Sequence, residues 1–223
     1  MVTSSSDREN VYFASDQVAC FRGGRTVFVG VTFSINSGGA VLVKGPNGIG
    51  KSTMLRILAG LMRPIYGTLK WHDHKTHVEP EIHFKRIHYV GHHDPVKPAL
   101  TVIENVSFWA SLHGTRDHVQ SALEEFDIAH LADVPARFLS AGQKRKVNLT
   151  RILTAPTRLW LLDEPTTGLD AATVAKFEQC MAAHRNSGGM IILSTHTPLD
   201  LPEAQVLNLS DYQPEAAAHD NLY

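Results

Sequence analysis

Residues Gly45-Pro46-Asn47-Gly48-Ile49-Gly50-Lys51-Ser52 carry the spacing G-x-x-x-x-G-K-[ST], and the chemistry that this spacing serves is the binding of a polyphosphate. Glycines let a short loop curl until successive backbone N–H groups face inward, so the main chain itself becomes an anion cradle. Lys51 is placed to reach the terminal phosphates and the Ser52 hydroxyl to ligate Mg²⁺, with Thr53 completing the binding set. The expected ligand is a nucleoside triphosphate with its magnesium ion. Gly-rich surface loops share the composition but lack the setting: here an apolar stretch, Ala40-Val41-Leu42-Val43, leads into the loop, and a helical pattern follows it.

A second group of chemical residues ends the apolar run Leu159-Trp160-Leu161-Leu162-Asp163-Glu164. Adjacent residues of a strand point to opposite faces, so two neighbouring carboxylates take different tasks. Asp163 suits the metal, directly or through water, and Glu164 suits orienting and deprotonating the attacking water. A third lies at His196, just past the apolar run Met190-Ile191-Ile192-Leu193-Ser194-Thr195.

Between these lies Leu139-Ser140-Ala141-Gly142-Gln143, followed by the basic trio Lys144, Arg145 and Lys146. With this motif the chain resembles the ATP-binding cassette (ABC) family, whose hallmark is an LSxGQ segment before the strand acids, and the resemblance spans nearly the whole chain. It implies that Ser140, Gly142 and Gln143 close over the nucleotide of a second copy in a head-to-tail dimer, that His196 is the family's switch histidine holding the γ-phosphate and water in line, and that the turn Gly168-Leu169-Asp170 carries contacts between subunits. The three cations sit near a helix N-terminus, where they oppose the helix dipole; either an anion offsets that cost or the side chains reach a solvated face.

These groups need a scaffold that delivers them to one place. Met54, Leu55, Ile57, Leu58 and Leu61 recur at helical spacing up to Pro64, which makes a helix whose N-terminus meets the phosphates. Val41, Ile87 to Val90, Leu159 to Leu162, Ile191 to Leu193 and Val206 to Leu209 are apolar runs separated by helical patterns, so they predict a parallel sheet. Val11 to Ile35 alternates as strands around a Gly23-Gly24 hairpin turn and, with Gly67 to Trp71, predicts a small antiparallel layer. Thr101 to Leu153 is helical in pattern and carries the LSAGQ motif. The fold class is therefore α/β: the P-loop NTPase fold of ABC ATPases, with a parallel core sheet, a flanking antiparallel β layer and an α-helical subdomain. The expected organisation is a tail over 1–10, an ATP-binding domain over 11–210 with its helical subdomain at about 95–155, and a C-terminal tail over 211–223.

A net charge of −1 gives no footprint for nucleic acid. No apolar run approaches the roughly 18 residues that a membrane span requires. Cys20 and Cys180 are far apart and fit no metal spacing, so reduced thiols are expected. Seven histidines fall within one stretch, at His72, His74, His77, His83, His88, His92 and His93, and are read as surface residues without a ligand.

Two positions depart from the general pattern of the family. His92 stands where most members have a hinge Gln and is expected to keep a γ-phosphate-sensing role. The aromatic that stacks on adenine is missing, and Arg22 or the neighbouring Phe21 is the candidate replacement. Tyr89-Val90-Gly91-His92-His93, Leu100-Thr101-Val102-Ile103-Glu104-Asn105 and Ser194-Thr195-His196-Thr197-Pro198-Leu199 resemble one branch, the ATPase subunits of cytochrome c maturation systems. That resemblance implies ATP hydrolysis coupled to integral membrane transporter subunits at the cytoplasmic face of the bacterial inner membrane, or its mitochondrial equivalent, with haem involved only indirectly. An ATPase subunit of another exporter, or a soluble ABC-type clamp, are the alternative readings.

Overall fold

In the computed structural model, the residues described are 12–72, 75–77 and 79–214; Val11, His74, the tail over 1–10 and the end of the C-terminal tail lie outside them. The chain builds two sheets. A three-stranded antiparallel sheet of order β2-β1-β4 is formed by β1 (Tyr12–Arg22), β2 (Arg25–Asn36) and β4 (Tyr66–Trp71). The second is parallel throughout, of order β5-β6-β7-β3-β8, from β3 (Ala40–Lys44), β5 (Ile87–Val90), β6 (Leu159–Asp163), β7 (Met190–Ser194) and β8 (Gln205–Asn208).

The apolar runs that become β6 and β7 are buried on both faces, and the pleat divides them between two cores. Leu159, Leu161 and Ile192 pack with Phe13, Phe28, Trp71 and α1 (Lys51–Leu58) beneath the antiparallel sheet. Trp160, Leu162, Ile191 and Leu193 point the other way. They pack with α6 (Ala171–Asn186) and with the helices inserted between β5 and β6: α3 (Val102–His113), α4 (Val119–Glu125) and α5 (Ala141–Leu153). A strand covered on both faces reads as a continuous hydrophobic run for this reason. The short α2 (Pro80–Arg86) leads into β5.

α1 is shorter than its apolar spacing predicts. Gly60 adopts φ +72, its N–H donates to Ile57 O, and the Leu61 N–H reaches back to Arg56 O. This is a glycine-terminated helix end that consumes the last carbonyls. Leu61 is thereby turned out of the core and is 58% exposed. At the C-terminal side, Leu209 starts a 3₁₀ turn instead of ending β8, and Gln213 Nε2 donates to Val27 O, so the chain stays tied to the body past residue 210.

The histidine-rich stretch is not all at the surface. His83 is buried, accepting from Trp71 Nε1 at 3.0 Å with its other nitrogen 2.9 Å from Leu58 O. His88 is also buried, and burial together with the Arg151 charge pushes its pKa down to about 3. His184, stacked flat on Trp160 at 3.9 Å, is pushed down to about 4 by burial. Sequence spacing missed this because β5 and α2 turn their histidines toward the core. Both His88 and His184 stay neutral while the unfolded chain binds protons below about pH 6.5, so stability is full above that value and falls as pH drops toward the folded pKa values. The expected loss is up to about 1.4 kcal/mol per pH unit for each histidine. His88→Leu gives up the ring's backbone bond to Ala155 but not one at Nε2, which has no partner, and should flatten the decline between about pH 6 and 4.5, measured by urea unfolding across pH.

Candidate active site

The carboxyl ends of the central parallel strands carry the chemical residues, the usual place for ligands in an open α/β sheet. β3 runs into the loop of residues 45–50, and α1 begins at Lys51 with Gly50 as its cap at φ +115. A Cβ at Gly50 would lie 2.6 Å from Val27 Cγ1, so only glycine fits there. No side chain caps α1, and Lys51, Ser52 and Thr53, whose N–H groups lack helical partners, line the cavity that the loop encloses. Lys51 is 9% exposed, and its ammonium donates to Gly45 O at 2.8 Å and Pro46 O at 3.2 Å. Ile49 turns away and packs on the core below. Thus Gly45, Pro46 and Ile49 shape the loop, whereas Asn47, Gly48, Gly50, Lys51, Ser52 and Thr53 line the cavity.

Opposite the loop, β6 and β7 end in register, with Asp163 paired to Ser194. The Ser194 hydroxyl donates to Asp163 Oδ1 at 2.7 Å, while Asp163 Oδ2 is buried without a partner. Together with the Ser52 hydroxyl on the same cavity wall, this supplies hard oxygen donors of the kind a small divalent cation takes. Glu164 lies beyond the strand, at φ +50, a left-handed conformation that costs a non-glycine residue about 1 kcal/mol or more. The two carboxylates are therefore separated by a turn and not by the pleat. The Glu164 N–H bonds to Ser194 O, and its Oε2 accepts from the His196 N–H at 3.1 Å. His196 Nε2 stands 3.5 Å from Glu164 Oε1 and 3.4 Å from Lys51 Nζ.

Lys51, Ser52, Asp163, Glu164 and His196 thus share one cavity of about 900 Å³, and His92 lines it too. Arg22, Gly23, Arg25 and Val27 form one end; Arg22 donates to Thr53 Oγ1 at 3.4 Å, whereas Phe21 is 52% exposed and outside the lining. Ser140, Gly142 and Gln143 are not brought to this cavity. Ser140 caps α5, its hydroxyl accepting from Gln143 N at 3.2 Å while Gln143 Oε1 accepts from Ser140 N at 2.9 Å. Asp170 caps α6 by accepting from Thr173 N at 2.7 Å, which holds its carboxyl below the usual range.

Two of the three cations near the start of α5 meet an anion. Arg145 is buried, at 3% exposure, and pairs with Asp94 at 2.8 Å. Lys146 lies 3.7 Å from Asp170. For these two, the offsetting anions are carboxylates of the same chain. Ser194 and Asp94 also went without a role; a buried hydroxyl opposite a strand acid and a carboxylate facing a buried cation are visible only in three dimensions.

A Gly-rich loop feeding a helix, two strand-end carboxylates and a histidine around one cavity define a P-loop ATPase of the cassette type. The chain belongs to the ABC transporter family, whose profile matches residues 28–167. It is 50% identical over 205 residues to the cytochrome c biogenesis ATP-binding export protein CcmA of Paramagnetospirillum magneticum, covering 90% of this chain and 94% of that protein. To the protein of the same name from Rhodospirillum rubrum it is 49% identical over 212 residues, covering 95% and 91%. Among solved structures, the dimeric post-hydrolysis state of the ATP-binding cassette MJ0796 bound to ADP and Pi matches with a TM-score of 0.74 at 26% identity, over 83% of this chain and 88% of that one. The chain is accordingly an ATP-binding, ATP-hydrolysing subunit of the ABC type.

Removing the Ser194 hydroxyl leaves both oxygens of a buried carboxylate without a partner from that strand. Ser194→Ala should cost about 1–3 kcal/mol of stability, read as a lowered thermal midpoint. Magnesium nucleotide should restore more of that midpoint in the variant than in the parent.

Proposed function

We propose that this chain is the ATPase subunit of a cytochrome c biogenesis export system, in which hydrolysis of ATP to ADP and phosphate drives a haem-delivery step carried out by integral membrane subunits. The names of its relatives at 49–50% identity support the system. No helix among the described residues is long and apolar enough to cross a membrane, which supports a peripheral position against separate membrane subunits at the cytoplasmic face. A groove of about 740 Å³ supports the same reading: Leu61, Phe84 and Leu112 stand exposed along it, and His92 belongs both to its wall and to the nucleotide cavity. A membrane-subunit helix seated there would touch the residue that also faces the nucleotide. Haem has no place on this chain in this reading.

The convergence of Lys51, Asp163, Glu164 and His196 on one cavity carries the chemical part. The residues present fit Mg²⁺: Ser52 and Asp163 would hold it, and the ion would neutralise phosphate charge. The Lys51 ammonium would exchange its two loop carbonyls for phosphate oxygens. Glu164 is the acceptor for the proton of the attacking water, and the His196 N–H on its Oε2 fixes the carboxylate's orientation. His196 itself stands between Glu164 and Lys51, where an imidazole bridges the water and the terminal phosphate. His92 senses that phosphate from the hinge, and Arg22 packs against the base. Ser140, Gly142 and Gln143, exposed or half-exposed at the start of α5, act on the nucleotide of a second copy in a head-to-tail dimer. The dimeric state of MJ0796 supports that assembly.

Glu164→Gln is expected to bind ATP as the parent does, accumulate as a dimer by size exclusion with ATP, and lose steady hydrolysis by at least about 100-fold. Lys51→Ala should instead abolish the rise in thermal midpoint that ATP produces. Hydrolysis by Glu164→Gln at the parental rate would remove Glu164 from the reaction. Affinity purification from membranes should recover the integral subunits of the cytochrome c maturation system, and Phe84→Asp should lose them while keeping ATP hydrolysis by the isolated chain.

A further inference from the structure

The guanidinium of Arg145 is surrounded by acceptors from two separate pieces of chain, residues 91–94 and 163–165. Its Nε donates to Pro165 O at 3.0 Å, Nη1 to Gly91 O at 3.1 Å and Asp94 Oδ1 at 2.8 Å, and Nη2 to Asp163 O at 3.2 Å and to Glu164 O. A guanidinium carries five N–H bonds in a planar fork, and here the five contacts use its three nitrogens. The side chain is 3% exposed, and Asp94 takes a second bond at 2.7 Å from Asn148 Nδ2, one helical turn further along α5. α5 therefore grips the hinge at residues 91–94 and the turn at residues 163–165 at the same time.

Two residues of the nucleotide cavity are set by that grip. His92 lies between Gly91 and Asp94, both of which Arg145 holds. Glu164 sits in a left-handed conformation that its own backbone disfavours, and Arg145 binds the carbonyls of Asp163, Glu164 and Pro165 on either side of its Cα. The strained turn persists only where surrounding contacts over-determine it. Of these, the Glu164 N–H bond to Ser194 O comes from the sheet, the Thr167 N–H bond to Glu164 O at 3.3 Å from the turn itself, and the side-chain bonds to the three carbonyls from α5.

We propose that Arg145 is a positioning residue for hydrolysis, aligning the Glu164 carboxylate and the His92 hinge loop from the helix that carries the LSAGQ motif. The inference rests on the reading of Glu164 as the group that handles the attacking water. Its consequence is that neighbouring turns of α5 do different jobs: the Ser140 cap faces a second copy, while Arg145, about one turn later, reports the position of that helix to the cavity of its own chain. Lysine cannot replace the fork. It has one nitrogen and three donors, so it can keep the charge opposite Asp94 but not the carbonyls of residues 163–165 as well.

The test is steady-state ATP hydrolysis by Arg145→Lys, with the thermal shift on adding ATP as a separate readout of binding. The expected result is a fall in kcat of at least about 10-fold, with KM for ATP and the ATP-induced shift within about 2-fold of the parent. A purely charge-neutralising role predicts rescue by lysine, and parental kcat in Arg145→Lys would overturn the proposal. So would a loss in which KM and the thermal shift fail together with kcat, since that marks a general structural role. Should Arg145→Lys not fold, Asp94→Ala keeps the guanidinium and its carbonyl bonds while releasing the hinge. It is expected to lower kcat about 3- to 10-fold at unchanged ATP binding, and parental kcat there would overturn the proposal equally. Glu164→Gln assayed in parallel separates the two readings: if it hydrolyses at the parental rate, the assignment of Glu164 fails, whereas if it is inactive and the Arg145 and Asp94 variants are not impaired, only the present inference fails.

Discussion

The register of β6 against β7 governs the rest of the structure. Asp163 is paired with Ser194 at the last position of both strands, so the hydroxyl meets the carboxylate and the two chains leave the sheet at the same level. From that point they are laced together, through the Glu164 N–H on Ser194 O and the His196 N–H on Glu164 Oε2. A slip of one residue would turn every side chain of β6 to the opposite face. It would part Asp163 from Ser194 and exchange Trp160 and Leu162 with Leu159 and Leu161 between two differently shaped cores. The packing of aromatic and aliphatic groups on both faces is thus what holds the acids in place.

Around that anchor the cavity is lined by groups held by bonds within the chain. The loop carbonyls of Gly45 and Pro46 hold the Lys51 ammonium, and the uncapped start of α1 lines the same space. Dipoles fixed in this way need little reorganisation when charge develops on a phosphate, which is where most electrostatic catalysis originates. The buried, half-partnered Asp163 is the complementary cost, since one of its oxygens has given up water without a protein donor in return.

The helical insert shares an apolar core with β6 and β7 and is tied to this centre, beside the cavity, by polar bonds. Arg145 and Asn148 of α5 meet at Asp94, and Arg151, further along the same helix, donates to Tyr89 O and stacks over the Trp109 ring. Burial lowers the Arg151 pKa to about 10, which still leaves it charged near neutral pH. Directional bonds between two lobes define relative orientation more sharply than apolar contact does, because they fail over a fraction of an ångström. The nucleotide cavity and the helix that carries the LSAGQ motif are linked through these bonds.

The strands, the phosphate loop, the helical insert and the acids at 163 and 164 were legible in sequence because each rests on local physics: a two-residue or 3.6-residue period, a glycine spacing, a cap at Ser140. Leu61 misled for an equally local reason, since its spacing continues the helix while Gly60 ends it. Other features were out of reach of any local rule. That Arg145 is buried, that His83 and His88 face inward, that Ser194 serves Asp163, and that Glu164 sits in a turn instead of a pleat all depend on which distant segment is packed alongside. Residue types and their order along the chain determined what chemistry was available. Only the folded arrangement decided which charges lost water, since desolvation and pairing belong to the space between elements and not to the string of residues.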